Sequence, residues 1–218
     1  MKGLLKNNFY AARSNGAIFA VVMLLLGLFV IAMDNDIQTL LDGYMLLSMT
    51  GFSIQAITSL RKESAGKWNK YKLTVPVKRS DIVKSYFISQ LVWLFVGILF
   101  AGAAVSLSIL LHGYPFDRNT DILMLFIVGI SISLFMGAVF FPLFYLGGEE
   151  RNEAFLVISL LCGIGIVAVL ATAVNMLFGP HMTTLQVIAG GAIILISALL
   201  AFLLSYPLTV GIFQKKEF

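Results

Sequence analysis

Five charge-free stretches fill most of this 218-residue chain, and they constrain its fold more than any other feature. They run over residues 16–33, 43–60, 85–116, 122–148 and 154–214. A helix that crosses the hydrocarbon core of a bilayer needs about 20 apolar residues, and the last stretch is long enough for two such helices joined at Gly179-Pro180-His181. The pattern predicts an all-α integral membrane protein with six transmembrane helices in a single domain.

The spans are placed at residues 16–33, 41–60, 86–111, 122–146, 155–177 and 187–213. Residues 1–14 precede the first span and alternate between an apolar face (Leu4, Leu5, Phe9 and Ala12) and a basic face (Lys2, Lys6 and Arg13). This pattern is typical of a helix that lies in the plane of the membrane interface. We predict an N-terminal elbow helix here, the alternative being a frayed basic tail that only directs topology.

Charge placement predicts the orientation of the chain. Every one of the 15 Lys and Arg residues except Arg118 falls on one side of the six-span arrangement, with both termini on that side. Cytoplasmic loops carry the excess of Lys and Arg, so both termini and residues 61–84 are predicted to be cytoplasmic. Anionic lipids explain this basic surface better than nucleic acid does. We expect a multi-pass protein of the bacterial cytoplasmic membrane.

The interior is uncharged apart from Asp42 at an outer edge, which leaves little for reaction chemistry. His112, His181 and the single Cys162 are far apart and predict no metal site. No span carries a nucleophile beside a base or a pair of carboxylates, so an intramembrane enzyme is not expected. Ion-coupled transporters usually need ionisable groups at mid-membrane, which this chain lacks.

Polar and small residues form stripes at helical spacing in the second and third spans. Polar groups that face lipid are costly, so these stripes should face other helices or a cavity. Close helix packing and a cargo path both explain them, and the alternatives stay open. The residues of a possible cargo path are Tyr44, Ser48, Gln55, Gln90 and Trp93. Pro142 and Pro207 should bend the fourth and sixth spans, either as fixed kinks or as hinges.

Residues 61–84 form the longest polar stretch and are too short to be a domain. Trp68 and Tyr71 are three residues apart and would share one face of a helix. An aromatic pair among charged residues can bind a partner's groove, and it can equally anchor a loop at the membrane interface. The residues alone do not choose between these two roles.

This stretch also carries a resemblance to a known family, together with the end of the fourth span. The segments concerned are Gly66-Lys67-Trp68, Val75-Pro76-Val77-Lys78-Arg79, Asp81-Ile82-Val83 with Tyr86, Phe141-Pro142-Leu143-Phe144 and Gly147-Gly148. With them the chain resembles permease subunits of ABC-2 type ATP-binding-cassette exporters. The resemblance extends to the branch that contains bacterial peptide and antibiotic exporters, such as the phenol-soluble modulin exporter permeases.

The resemblance implies the permease of an ATP-driven exporter whose cargo is amphipathic or hydrophobic, such as a peptide or an antibiotic. It implies a coupling helix over residues 63–71 that docks on a separate ATPase subunit, with a smaller second contact in the loop of residues 147–153. The implied contact residues are Glu63, Gly66, Lys67, Trp68, Tyr71, Glu149, Glu150 and Arg151. Two ATPase copies, a second permease chain, identical or homologous, and anionic lipids are the implied partners.

The chain has no phosphate-binding G-x-x-x-x-G-K-[ST] motif of its own. ATP and Mg are therefore expected on the ATPase, with no cofactor on this chain and no enzymatic activity. Two other classes of function remain as alternatives: a secondary transporter or channel without an ATPase, and a non-transporting membrane scaffold or immunity protein.

Overall fold

The computed structural model describes residues 2–33, 37–65, 78–116, 118–147, 151–179 and 182–215. These residues form six helices: α1 (Lys2–Ala32), α2 (Ile37–Ala65), α3 (Arg79–His112), α4 (Asn119–Gly147), α5 (Asn152–Phe178) and α6 (Thr184–Lys215). At about 1.5 Å per residue, they are roughly 40–51 Å long, which matches a bilayer with its headgroup layers. The all-helical prediction is confirmed.

Five of the helices, α1 and α3 to α6, are long and apolar enough to cross a membrane. α2 is as long as α4, with 29 residues, but its apolar part is interrupted by Asp42, Tyr44 and Gln55. The polar residues of α2 are accommodated because α2 packs against α1, α3 and α4. The structure supports a multi-pass membrane protein. A sixth span at α2 and the sidedness of the termini stay predictions.

The helices form two groups of three in chain order. α1, α2 and α3 pack on one another, while α4 packs on both α5 and α6. The groups meet where α4 contacts α2 and where α3 contacts α6. Residues 131–137 at the centre of α4 are all buried, whereas α5 is the least covered of the five apolar helices. α4 is therefore the helix around which the two groups assemble.

α1 is one continuous helix, which differs from the predicted elbow followed by a span. Asn8, Ala12, Gly16, Met23 and Gly27 are all buried, and their spacing places them on a single stripe that runs from the first turns to the last. No proline interrupts the hydrogen-bond ladder between the basic segment and the apolar segment. Residues 2–14 are helical, but an elbow separate from the span is not confirmed, and its place in the interface stays a prediction.

Two glycines end helices in the left-handed region that favours glycine. Gly113 and Gly179 both have φ +80°, and their N–H groups donate to the carbonyls of Ile109 and Asn175. Glycine adopts this conformation without the steric cost that a Cβ would add. α5 thus ends at the position where the sequence predicted the turn between the last two spans.

The backbones of α2 and α3 approach each other closely at Gly97. A Cβ on this residue would lie 2.7 Å from the carbonyl oxygen of Ser48 and 2.8 Å from the Cα of Met49, both backbone atoms. The Ser48 hydroxyl donates to the Met45 carbonyl at 2.9 Å and lies 3.3 Å from the Gly97 carbonyl. Small residues let membrane helices pack this closely.

Candidate functional site

The predicted coupling segment lies mostly outside the described residues. Glu63 belongs to the last turns of α2, while Gly66, Lys67, Trp68 and Tyr71 fall in the gap before Lys78. In the second predicted contact, Glu149 and Glu150 are likewise outside the described residues. Arg151 is described, is exposed and is the N-cap residue of α5. The coupling helix and its contact residues therefore stay predictions.

The helices that flank these two loops are brought together. The end of α2 and the start of α5 line one small cavity of about 40 Å³ against the end of α4. Its lining residues are Ile57, Thr58, Phe140, Phe144, Asn152, Glu153 and Leu156. The buried Oδ1 atom of Asn152 has no hydrogen-bond partner among the described residues. The helix ends that flank the two predicted ATPase-facing loops therefore lie close together.

The start of α3, where the longer loop re-enters the helical bundle, is held by two other helices. Arg79 Nη1 donates to the carbonyls of Phe213 at 3.3 Å and Gln214 at 3.1 Å, at the end of α6. Asn8 Nδ2 of α1 donates to Ser85 Oγ of α3 at 2.9 Å, and both side chains are buried. Sequence reasoning missed these anchors because each joins residues far apart in the chain.

Three of the five predicted cargo-path residues make helix-packing contacts. Ser48 lies at the α2–α3 crossing, and Gln90 Nε2 donates to the Ser133 carbonyl on α4 at 2.8 Å. Trp93 stacks on Phe9, with ring centroids 5.7 Å apart, and on Phe52 at 6.1 Å. These contacts join α1, α2, α3 and α4. A role in cargo binding is not tested by them and stays a prediction.

Gln55 is half-buried in α2, and its backbone carbonyl accepts a hydrogen bond from Thr58 Oγ1 at 3.0 Å. Tyr44 lines a cavity of about 340 Å³. The lining residues come from α1, α2 and α3: Leu24, Gly27, Leu28, Ile31, Tyr44, Leu99, Phe100, Ala103, Ala104 and Leu107. Tyr44 is the polar side chain of this set, and the cavity has a size that suits the apolar part of a small ligand.

Pro142 has a partner that compensates for its missing N–H. A proline at this position removes the hydrogen bond that would end on the carbonyl of Ala138, four residues earlier in α4. Ser205 Oγ of α6 donates to that same carbonyl at 2.7 Å. Side chains from neighbouring helices are how membrane proteins satisfy backbone groups that a proline frees. The predicted bend angle at Pro142 is not tested, but its hydrogen bonding is explained.

The chain matches the protein family described as ABC-2 family transporter protein over residues 3–214. No curated protein and no solved structure matches it. The family match spans all six helices and both polar loops, and it does not distinguish the branch within the family. The chain belongs to the ABC-2 family of transporter proteins.

Proposed function

We propose that this chain is the transmembrane permease subunit of an ATP-driven exporter in the bacterial cytoplasmic membrane. Two copies of a separate ATPase subunit bind ATP and Mg and dock on its cytoplasmic face. A second permease chain, identical or homologous, completes the transporter. The cargo is amphipathic or hydrophobic, with peptides and antibiotics as the first compounds to test.

The observation that carries this proposal is the family match together with the close approach of the helix ends that flank the two polar loops. The end of α2 and the start of α5 share a cavity against Phe140 and Phe144 of α4. A protein docked at this end of the bundle can therefore contact residues 61–84 and residues 148–153 at the same time. Two contacts on separate helices transmit force to the bundle better than one contact on a single loop.

The uncharged interior supports an external energy source. The predicted spans contain one charged residue, Asp42, near the start of α2. Coupling to a proton or sodium gradient usually requires ionisable groups near mid-membrane. Hydrolysis of ATP on a docked subunit needs no such group in the permease.

The exposed surface of α5 leaves room for the second permease chain. Only 17% of the residues in the most apolar 18-residue segment of α5 are buried within the chain. Gly165, Ala168 and Thr172 are exposed on this helix, and a Cβ on Gly165 would meet no other atom within 4 Å. Membrane helices associate through such small residues because they allow close backbone approach.

The proposal is tested by expressing the permease with a candidate ABC ATPase subunit from the same genome. Two quantities are measured: the ATPase recovered per permease, and the ATP hydrolysis stimulated by cargo. Truncation of a buried aromatic anchor costs about 2 kcal/mol or more of binding, so Trp68→Ala should lower both quantities at least tenfold. Lys62→Ala is the matched control, because removal of a charge at the rim of an interface changes little. Wild-type recovery and stimulation in Trp68→Ala would show that this loop does not dock the ATPase.

A further inference from the structure

The last turns of α6 are tied to the first residue of α3 by one side chain. Arg79 Nη1 lies 3.3 Å from the Phe213 carbonyl oxygen and 3.1 Å from that of Gln214. The guanidinium carbon also lies 5.7 Å from the centroid of the Phe213 ring. Arg79 therefore holds both the backbone and an aromatic side chain of α6.

The physical basis of this contact is the free end of a helix. The last carbonyls of a helix have no partner within it, and the partial negative charge of the helix dipole is concentrated there. A guanidinium is always charged, carries several N–H donors and packs on aromatic faces. It therefore matches the partial negative charge, the carbonyl groups and the Phe213 ring at this helix end. An ammonium group at the same place would reproduce only the charge.

Pro207 interrupts the backbone hydrogen-bond ladder of α6 near the end of that helix. Pro207 has no N–H, so the carbonyl of Leu203 loses its usual partner in the helix ladder. Residues 208–215 follow this weak point. Phe213 packs further on Tyr145 of α4, with ring centroids 4.8 Å apart. The start of α3 therefore contacts α6 on both sides of Pro207: the Tyr206 hydroxyl lies 3.5 Å from the Ser80 carbonyl, and Arg79 contacts the segment beyond the proline.

We propose that Arg79 is a positioning residue that makes residues 208–215 of α6 move together with the start of α3. Force applied to residues 61–84 by the ATPase is then passed through Arg79 to α6, which bends at Pro207. The direct contact stands on the geometry alone, while the source of the movement rests on the proposed function.

The first experiment uses the full-length permease without the ATPase and follows hydrogen–deuterium exchange of peptides that cover residues 208–215. Arg79→Ala should raise the exchange rate of these amides about two- to fivefold, since that is the effect of a favourable charge at a helix end. Arg79→Lys should recover part of the protection, and Lys84→Ala, an exposed base on the same helix, should leave it unchanged. Equal exchange in wild type and Arg79→Ala would overturn the proposal.

The second experiment adds the ATPase and compares the nucleotide-free state with a trapped ATP-bound state. Wild type should show a nucleotide-dependent change in exchange at residues 208–215, and Arg79→Ala should lose this change while it recovers the same amount of ATPase. A nucleotide-dependent change in exchange that persists in Arg79→Ala would overturn transmission through this residue. A parallel loss of recovered ATPase would also overturn it, because Arg79 would then act in docking the ATPase. If wild type recovers no ATPase, the proposed function and the transmission both fail, and the first experiment still decides the contact.

Discussion

Replacement of Ser205 by alanine should leave the Ala138 carbonyl of α4 without a hydrogen-bond donor, because Pro142 has no N–H to donate to it. The substitution removes the hydroxyl that donates to the Ala138 carbonyl at 2.7 Å, and no backbone N–H can replace it because residue 142 is proline. Interhelical hydrogen bonds in membranes contribute ~0.6 kcal/mol on average and up to ~1.7. The cost is higher here because the partly buried Ala138 carbonyl would be left without a donor, so we expect the free energy of unfolding to fall by about 1–2 kcal/mol.

A double-mutant cycle separates this cost from the general effect of a smaller side chain. Pro142→Ala restores an N–H at position 142, which can donate to the Ala138 carbonyl as in an ordinary helix. In that background, Ser205→Ala should cost less than about 0.5 kcal/mol, which gives an interaction energy of about 1 kcal/mol between the two sites. The assay is the free energy of unfolding in mixed detergent micelles under titration with a denaturing detergent.

The matched control is Ser197→Ala on the same helix. The Ser197 hydroxyl donates to the Ile194 carbonyl within α6 at 2.7 Å, so its loss removes no contact between helices. We expect a change below about 0.5 kcal/mol, because a serine hydroxyl bonded to its own helix contributes little. The same cost for Ser205→Ala in the proline and alanine backgrounds would refute the reasoning.

Three further predictions follow from other parts of the bundle. In the same unfolding assay, Gly97→Ala should destabilise the protein by about 1–3 kcal/mol, because the added Cβ overpacks against the backbone of α2. Gly102→Ala on the same helix should be neutral or stabilising, because its Cβ would meet only one atom, at 4.0 Å. In a chain otherwise free of cysteine, a cysteine at Asn35 should react with an impermeant thiol reagent from outside and one at Ser64 should not, and outside labelling of Ser64 would reject the six-span topology. Tyr44→Phe should weaken export of cargo with a hydrogen-bond acceptor beside its apolar part more than export of purely apolar cargo, and equal loss for both would assign Tyr44 to packing.

The sequence predicted the helical elements well because membrane helices are set by a local property. Charge-free stretches end where polar residues reach the headgroups, and every predicted span lies within one helix except for one residue at the end of the first. Gly179 was identifiable as a helix end for another local reason, because the Gly-Pro pair marks a turn inside a charge-free stretch. The elbow over residues 1–14 was predicted from its apolar and basic faces, but such a pattern does not interrupt backbone hydrogen bonding, and α1 continues past residue 14 without a break.

The sequence could predict which residues face inward, but it could not predict which residues on other helices they contact. Stripes in α2 and α3 indicated that Ser48, Gln90 and Trp93 would face other helices or a cavity, and each of them contacts a neighbouring helix. Their partners could not be named because periodicity within one helix does not say which helix lies opposite. Pro142 likewise indicated a carbonyl in need of a donor, yet Ser205 is 63 residues away from it and nothing local marks it as that donor.

The composition of α2 bears on how the protein is made. A segment leaves the translocon for lipid when its apolar residues outweigh its polar ones, and α2 is less apolar than the other five helices. The side chains of Tyr44 and Ser48 in α2 are buried in the assembled bundle, and Tyr44 lines the cavity that α2 shares with α1 and α3. We therefore expect α2 to wait at the translocon and to enter the bilayer together with α1 and α3, so that synthesis of the first three helices is a single cooperative step of biogenesis.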